Sequence, residues 1–124
     1  MKYILAVLIG ANILFNPLRI TIVNADYGDK VDRFMDELMY CESGGNPNAL
    51  NPNDGGSRSV GILQFKDKTF ELYLTRYFFL FPKGGVITNP ITQQRLARQI
   101  LLEDGGWRNW KICSLRIGLL PHMV

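Results

Sequence analysis

The sequence predicts a small, mainly α-helical domain of the α+β class, closed by one disulfide. Three stretches of its 124 residues carry apolar side chains at the three- and four-residue spacing of a helix face. A polar, turn-rich stretch from Gly44 to Ser59 separates the first two, and it predicts a long loop or a small hairpin. Hydrophobic residues make up 47% of the chain, which is enough for a packed core and excludes the disordered class.

The first predicted helix spans Lys30 to Glu42. Its apolar face consists of Val31, Phe34, Met35, Leu38 and Met39. Gly44 and Gly45 follow and are expected to end it, because glycine readily adopts the left-handed conformation found after a helix.

Glu42 continues the apolar stripe of this helix, since it lies three residues after Met39 and four after Leu38. Partial burial and the negative end of the helix both disfavour an ionised carboxylate, so its pKa is predicted to be raised. A carboxyl group that keeps its proton near neutral pH can act as a general acid. The alternative is a frayed helix end with Glu42 turned to solvent.

Two further helices are predicted. Asp67 is the expected N-cap of the second, which continues to about Phe79 and is apolar on nearly all sides. This pattern indicates either a buried central helix or a contact surface, and the run Tyr77 to Phe81 either belongs to that buried helix or touches a membrane.

Asn89 and Pro90 have the residue types of an N-cap and a first helical position, and they predict the third helix. Its inner face is predicted to consist of Leu96, Ala97, Ile100 and Leu101.

Residues 1–25 are predicted to be a secretory signal peptide. Lys2 precedes an uncharged apolar run from Tyr3 to Phe15, which is short for a membrane span, and Val23-Asn24-Ala25 offers small residues at the positions that a signal peptidase recognises. The expected organisation is a domain over residues 26–113 and a short C-terminal tail over 114–124. We therefore expect a secreted or cell-envelope protein, with a retained N-terminal anchor as the alternative.

The two cysteines, Cys41 and Cys113, are predicted to form a disulfide, because an even cysteine count in a small exported domain favours a bridge. Two buried free thiols are the alternative. One histidine and two distant cysteines are too few ligands for a metal site, so neither a metal nor another cofactor is expected.

The charge of the chain gives no indication of nucleic-acid binding. Its formal net charge is +3, but two of the 14 basic residues, Lys2 and Arg19, precede Asp26, and all 11 acidic residues lie from Asp26 onward. The predicted domain and tail therefore carry a net charge of only +1, without the clustered basic residues that a nucleic-acid interface requires.

Three motifs between Cys41 and Phe70 occur in a specific order. They are Glu42-Ser43-Gly44 at the end of the first helix, Gly61-Ile62-Leu63-Gln64 after the polar stretch, and Thr69 at the start of the second helix. This arrangement resembles the lysozyme-like lytic transglycosylases and their relatives, the resuscitation-promoting factors. A cysteine directly before the glutamate, and a second one after a tryptophan-containing segment, resemble the latter branch.

The resemblance implies a lysozyme-like fold and cleavage of the β-1,4 glycosidic bond between N-acetylmuramic acid and N-acetylglucosamine in peptidoglycan. It implies that Glu42 is the catalytic acid and base, that Gln64 and Ser43 line the sugar cleft, and that the two cysteines pair. The expected partners are peptidoglycan glycan strands, bound by a monomer. The Ala-Tyr-Asn-Ala-Gly motif of the longer soluble transglycosylases is absent, so their sugar subsites do not carry over in detail.

Several residues have two open interpretations. Asp54 is the candidate second carboxylate of a hydrolytic muramidase, or it forms an Asx turn before two glycines. Gln64 either binds N-acetyl groups or braces the long loop. Tyr73, Trp107 and Trp110 are candidates for stacking on sugars, with core packing as the alternative for each. A non-catalytic peptidoglycan-binding module and a structural or signalling protein are the competing functions.

Overall fold

The structure is a computed structural model that describes the backbone of residues 17–124 and the side chains from Tyr27 onward. The chain divides into two units, residues 1–30 and residues 31–124. Residues 1–16 of the predicted signal peptide lie outside the described residues, and the backbone of its remaining part is helical. Within residues 17–124, no helix combines the length and the apolar character needed to cross a membrane.

The described part of the chain is mainly helical with one small sheet, which confirms the predicted α+β class. The helices are α1 (Pro17–Ser43), α2 (Asp67–Arg76), α3 (Pro90–Leu102) and α4 (Lys111–Ile117). The strands are β1 (Leu50–Asp54), β2 (Ser57–Val60) and β3 (Phe65–Lys66). Short 3₁₀ turns occupy Phe78–Leu80, Gly106–Trp110 and Pro121–Met123.

The polar stretch after α1 folds into a hairpin, which is one of its two predicted forms. β1 and β2 pair in an antiparallel manner, and β3 adds to the other side of β2. Gly55 and Gly56 form the tip with φ values of +64° and +89°, a conformation that glycine adopts without steric cost. Pro52 fits β1 because that strand is at the edge of the sheet and needs no amide donor there. The hairpin places Asp54 beside the end of α1.

The core of the second unit contains buried residues of α1 and α3 together with residues from the sheet, α2 and the C-terminal segment. The predicted inner face of α3 is confirmed, since its four apolar residues are fully buried. Asn89 is the N-cap as predicted, and its side-chain oxygen accepts hydrogen bonds from the amides of Ile91 and Thr92. On α1 the buried apolar residues are Val31, Phe34, Met35 and Leu38. Phe65 packs edge-on against Phe70 and Trp110, so the sheet and α2 join the same core.

The predicted second helix is too long, and its buried interpretation is wrong. α2 ends at Arg76 because Tyr77 leaves the helical conformation with φ −109° and ψ 31°. Lys66, rather than Asp67, occupies the N-cap position. Phe70 is the buried residue of α2, whereas Phe78 and Phe79 beyond its end are exposed. α3 fills the centre of the unit instead, which leaves α2 only one face to bury.

The C-terminal segment is tied to the rest of the unit. Cys41 at the end of α1 and Cys113 in α4 form the predicted disulfide. Residues 114–124, which the sequence sets apart as a tail, include the buried Ser114 and Met123. The Trp107 indole donates a hydrogen bond to the Met123 carbonyl at 3.0 Å. This segment therefore packs as part of the second unit.

Candidate active site

Glu42 lies in the last turn of α1, directly before the residues that end the helix. Gly44 adopts φ +66° and its amide donates to the Tyr40 carbonyl, while the Gly45 amide donates to the Met39 carbonyl. The Glu42 side chain is half-buried, and no side chain of residues 27–124 forms a hydrogen bond or ion pair with its carboxyl group. Its position is fixed by the helix end and by the adjacent Cys41 disulfide.

Burial raises the pKa of the Glu42 carboxyl above its usual value, and the negative charge of Asp54 raises it further. Both effects disfavour the ionised form. Burial is a cause that the sequence predicts, whereas the influence of Asp54 depends on how the hairpin folds back. Glu42 is therefore suited to keep and deliver a proton.

A pocket of about 100 Å³ lies beside Glu42. Its lining residues come from α1, the hairpin, β3, α2 and the 3₁₀ turn before α4. They are Glu42, Asp54, Gln64, Phe65, Lys66, Thr69, Asn109 and Trp110. Of the sequence-predicted site residues, the structure thus brings together Glu42, Asp54, Gln64 and Trp110.

Asp54 is held as an ionised carboxylate. Its Oδ2 accepts a hydrogen bond from the Ser59 hydroxyl at 2.6 Å, and the Lys66 ammonium lies 3.5 Å away. The hydrogen bond from Ser59, followed by the charge of Lys66, lowers the pKa of Asp54. These partners across the sheet, rather than the amides of a turn, hold the carboxylate. The pocket thus contains two carboxyl groups whose pKa values are shifted in opposite directions, a pattern typical of an acid paired with an anion.

Gln64 lines the pocket and braces the loop through its side-chain amide, and binding of N-acetyl groups stays a prediction. Its backbone has φ +51°, an uncommon conformation for a residue other than glycine. Its side-chain NH2 donates to the carbonyls of Gly61 at 2.9 Å and Ala49 at 3.3 Å. The side-chain oxygen has no protein donor in the described part of the chain, and it can accept a hydrogen bond from a ligand.

The Gln93 side chain of α3 forms hydrogen bonds that hold the turn carrying Gln64. The fully buried Gln93 side chain accepts from the Leu63 amide at 2.9 Å and donates to the carbonyls of Val60 at 2.8 Å and Ile87 at 2.6 Å. Sequence reasoning missed this residue. The signal was its position three residues before Leu96, because a polar side chain on an apolar helix face needs buried partners.

The two tryptophans lie in different places. Trp110 is buried and forms one wall of the pocket, where its indole donates to the Leu63 carbonyl at 2.8 Å. Trp107 packs in the core and is not among the residues that line the pocket. Both indoles therefore have core positions, and only Trp110 also adjoins the site.

Ser43 and Tyr73 lie next to the site without lining the pocket. The Ser43 hydroxyl donates to the Ile62 carbonyl at 2.7 Å, and it thereby joins the end of α1 to the turn that carries Gln64. The Tyr73 hydroxyl accepts a hydrogen bond from the Asn109 side chain at 3.1 Å. Their contacts indicate that both support residues of the pocket.

Lys66 and Asn109 are site residues that sequence reasoning missed. Nothing in the sequence distinguishes Lys66 from the other lysines, and its role appears only when β3 pairs with β2 opposite Ser59. Asn109 lies between the two tryptophans, and its NH2 donates to Tyr73 and to the Gly106 carbonyl. Its side-chain oxygen has no protein donor among the described residues, and Asn109 is one of the residues that line the pocket.

Among the side chains that the structure describes, those of residues 27–124, no group of three or more histidines, cysteines, aspartates and glutamates is placed to hold a metal ion. Comparisons of this chain with protein-family models, with curated proteins and with solved structures found no match. Its function must therefore be inferred from the residues of the site.

Proposed function

We propose that the protein is a peptidoglycan lytic transglycosylase with a lysozyme-like domain and with Glu42 as its general acid and base. The observation that carries this proposal is the pairing of a half-buried carboxyl of raised pKa with an ionised carboxylate in one polar pocket. The motif resemblance described above supports the same assignment. A secreted or cell-envelope location, reached through the signal peptide, accompanies this function.

The reaction begins with a proton that passes from Glu42 to the glycosidic oxygen between N-acetylmuramic acid and N-acetylglucosamine. The bond breaks as positive charge develops on the anomeric carbon. The Asp54 carboxylate stabilises this charge, because it remains ionised beside the site. The 6-hydroxyl of the muramyl residue then attacks the anomeric carbon and gives its proton to Glu42. The products are a 1,6-anhydromuramyl end and a free 4-hydroxyl, and Glu42 is again protonated.

The polar groups of the pocket suit N-acetylated sugars. The side-chain oxygens of Gln64 and Asn109 can accept hydrogen bonds from acetamido N–H groups. A volume of about 100 Å³ is small compared with the ~300–1,000 Å³ typical of ligand pockets. The pocket therefore accommodates the groups around one bond, and a longer glycan strand would extend across the neighbouring surface.

Hydrolysis is the second candidate function, and the position of Asp54 is the observation that favours it. An ionised carboxylate in the same pocket as the acid can activate water or attack the sugar, as in muramidases. In that case the cut strand ends in a reducing sugar. A binding module that holds glycan without cutting it is the third candidate.

Digestion of purified peptidoglycan, read by mass spectrometry, tests these candidates. The chain, with its disulfide formed, is compared with Glu42→Gln and with Glu37→Gln. The latter is a matched control because it makes the same chemical change at an exposed position of α1. We expect anhydromuramyl ends, one water lighter than reducing ends, from the wild type and the control, and none from Glu42→Gln.

Each other outcome contradicts the proposal in a defined way. Reducing ends would make the protein a hydrolase with Asp54 as the second carboxylate. No products from any form, with the protein pelleting on the wall, would make it a binding module. Equal activity of Glu42→Gln and the wild type would remove Glu42 from the mechanism.

A further inference from the structure

Two phenylalanines project from the segment between α2 and α3. We call Tyr77–Phe81 the aromatic turn. Phe78 and Phe79 are 70% and 63% exposed. Adjacent exposed phenylalanines do not help the domain to fold, since their rings bury little surface against it.

The aromatic turn is held firmly by the rest of the structure. Phe81 is buried and acts as its anchor, and the amides of Leu80 and Phe81 donate to the carbonyls of Tyr77 and Phe78 at 2.9 Å. The Tyr77 hydroxyl donates to the Glu103 carboxylate. Burial and this hydrogen bond raise the pKa of Tyr77 to about 12, so the donor proton is retained. The backbone that carries the two exposed rings is therefore held in place.

The charged groups around the aromatic turn are predominantly basic. The Glu103 carboxylate contacts the turn but is already ion-paired with Arg76 at 2.6 Å. The Arg95 guanidinium lies 6.0 Å from the centre of the Phe81 ring, and Lys83 follows the turn at an exposed position. Neither Arg95 nor Lys83 has an ion-pair partner in the part of the chain that is described. The surroundings thus favour an anionic surface.

The geometry of the two rings favours insertion over stacking. The Phe78 and Phe79 ring centres are 6.1 Å apart and their planes meet at 84°. Perpendicular rings offer no continuous flat platform for a sugar chain. They do form a short apolar projection, and apolar side chains beside basic ones are the combination by which proteins bind the interface of anionic membranes.

We propose that the aromatic turn docks on an anionic phospholipid membrane, with Phe78 and Phe79 inserted at the headgroup boundary and Lys83 and Arg95 facing the lipid phosphates. This role is independent of the glycan-cleaving activity. It uses the protein surface between α2 and α3, and no residue of the aromatic turn lines the pocket at Glu42.

Co-sedimentation with lipid vesicles tests the proposal. The full chain is incubated with vesicles of phosphatidylglycerol and phosphatidylcholine in equal parts, or of phosphatidylcholine alone. Binding is compared for the wild type, for a double variant with Phe78→Ser and Phe79→Ser, and for Ile112→Ser. The last is a matched control because Ile112 is 74% exposed on α4. All forms share residues 1–30, so any contribution of that segment is common to them.

We expect binding to the anionic vesicles to fall about tenfold or more in the double variant, since two apolar side chains no longer enter the interface. Ile112→Ser should bind as the wild type does. Lys83→Gln should weaken binding about fivefold, and added salt should weaken it as well.

Several results would overturn the proposal. Among them are no binding of the wild type to anionic vesicles, and equal binding of the wild type and the double variant. A double variant that loses affinity for peptidoglycan but not for vesicles would assign the aromatic turn to the glycan. If the double variant differs from the wild type in oligomeric state on size-exclusion chromatography but binds vesicles equally well, the aromatic turn would be assigned to contact between copies of the chain.

Discussion

Replacement of Gly61 by alanine tests how the site-bearing turn is built. Gly61 has φ +82°, and a Cβ atom placed there would lie 2.3 Å from the side-chain nitrogen of Gln93. That side chain is fully buried and holds Val60, Leu63 and Ile87 through hydrogen bonds. The methyl group of alanine would therefore clash with the Gln93 side chain, which cannot move without breaking its buried hydrogen bonds.

The expected loss has two parts. The left-handed conformation costs alanine about 1–2 kcal/mol. Displacement of Gln93 leaves at least one buried polar group without a partner, which costs about 1–3 kcal/mol more. Gly61→Ala should thus lower the free energy of unfolding by roughly 2–5 kcal/mol, a large part of the ~5–15 kcal/mol that holds a domain together. The activity of the folded fraction should fall too, because the same turn positions Gln64.

Urea denaturation of the disulfide-bonded protein provides the measurement, and Gly55→Ala provides the control. Gly55 has φ +64°, but a Cβ atom there has no neighbour within 4 Å. The control therefore carries the conformational cost alone, about 1–2 kcal/mol. If both variants lose the same stability, the contact with Gln93 contributes nothing and the account of the turn is refuted.

Three other predictions concern charges and the disulfide. Because the pKa of Glu42 is raised on folding, the stability contributed by its protonated form is present below the unfolded pKa and is lost as pH rises through the folded pKa. Glu42→Gln should thus unfold at a higher urea concentration than the wild type at neutral pH, and at the same urea concentration at pH 3. A wild type as stable as the variant at neutral pH would contradict the burial of this carboxyl. Asp54→Asn should move the alkaline limit of the pH–activity profile to lower pH, since the charge of Asp54 helps Glu42 to keep its proton; an unchanged profile would show that the two groups do not interact. Joint replacement of Cys41 and Cys113 by serine should lower the free energy of unfolding by about 4 kcal/mol, as the bridge joins residues 72 positions apart; equal stability of the variant and the oxidised wild type would contradict this.

The features that sequence reasoning predicted correctly depend on local patterns. The apolar spacing along α3 and the cap at Asn89 are properties of neighbouring residues, and the structure confirms both. The raised pKa of Glu42 follows from its place on an apolar stripe near a helix end. Partial burial at that place can be predicted without knowing which element packs against the helix.

The features that sequence reasoning missed depend on contacts between distant segments. Periodicity could not choose between a buried and an exposed α2, because the choice depends on which helix fills the core. Lys66 reaches Asp54 only through the register of three strands, and Asn109 lies at the pocket in a segment that contacts Tyr73 of α2. The spacing of residues along one element does not predict such contacts between segments.

The hydrogen bonds of Gln93 have a consequence for how the site behaves over time. The Leu63 amide, next to the pocket residue Gln64, donates to a side chain 30 positions later in the chain. Because Gln93 is fully buried, we expect this bond to break only when α3 separates from the turn. Amide exchange at Leu63 should therefore proceed as slowly as global unfolding, and the turn that carries Gln64 should open only when the whole cooperative unit opens.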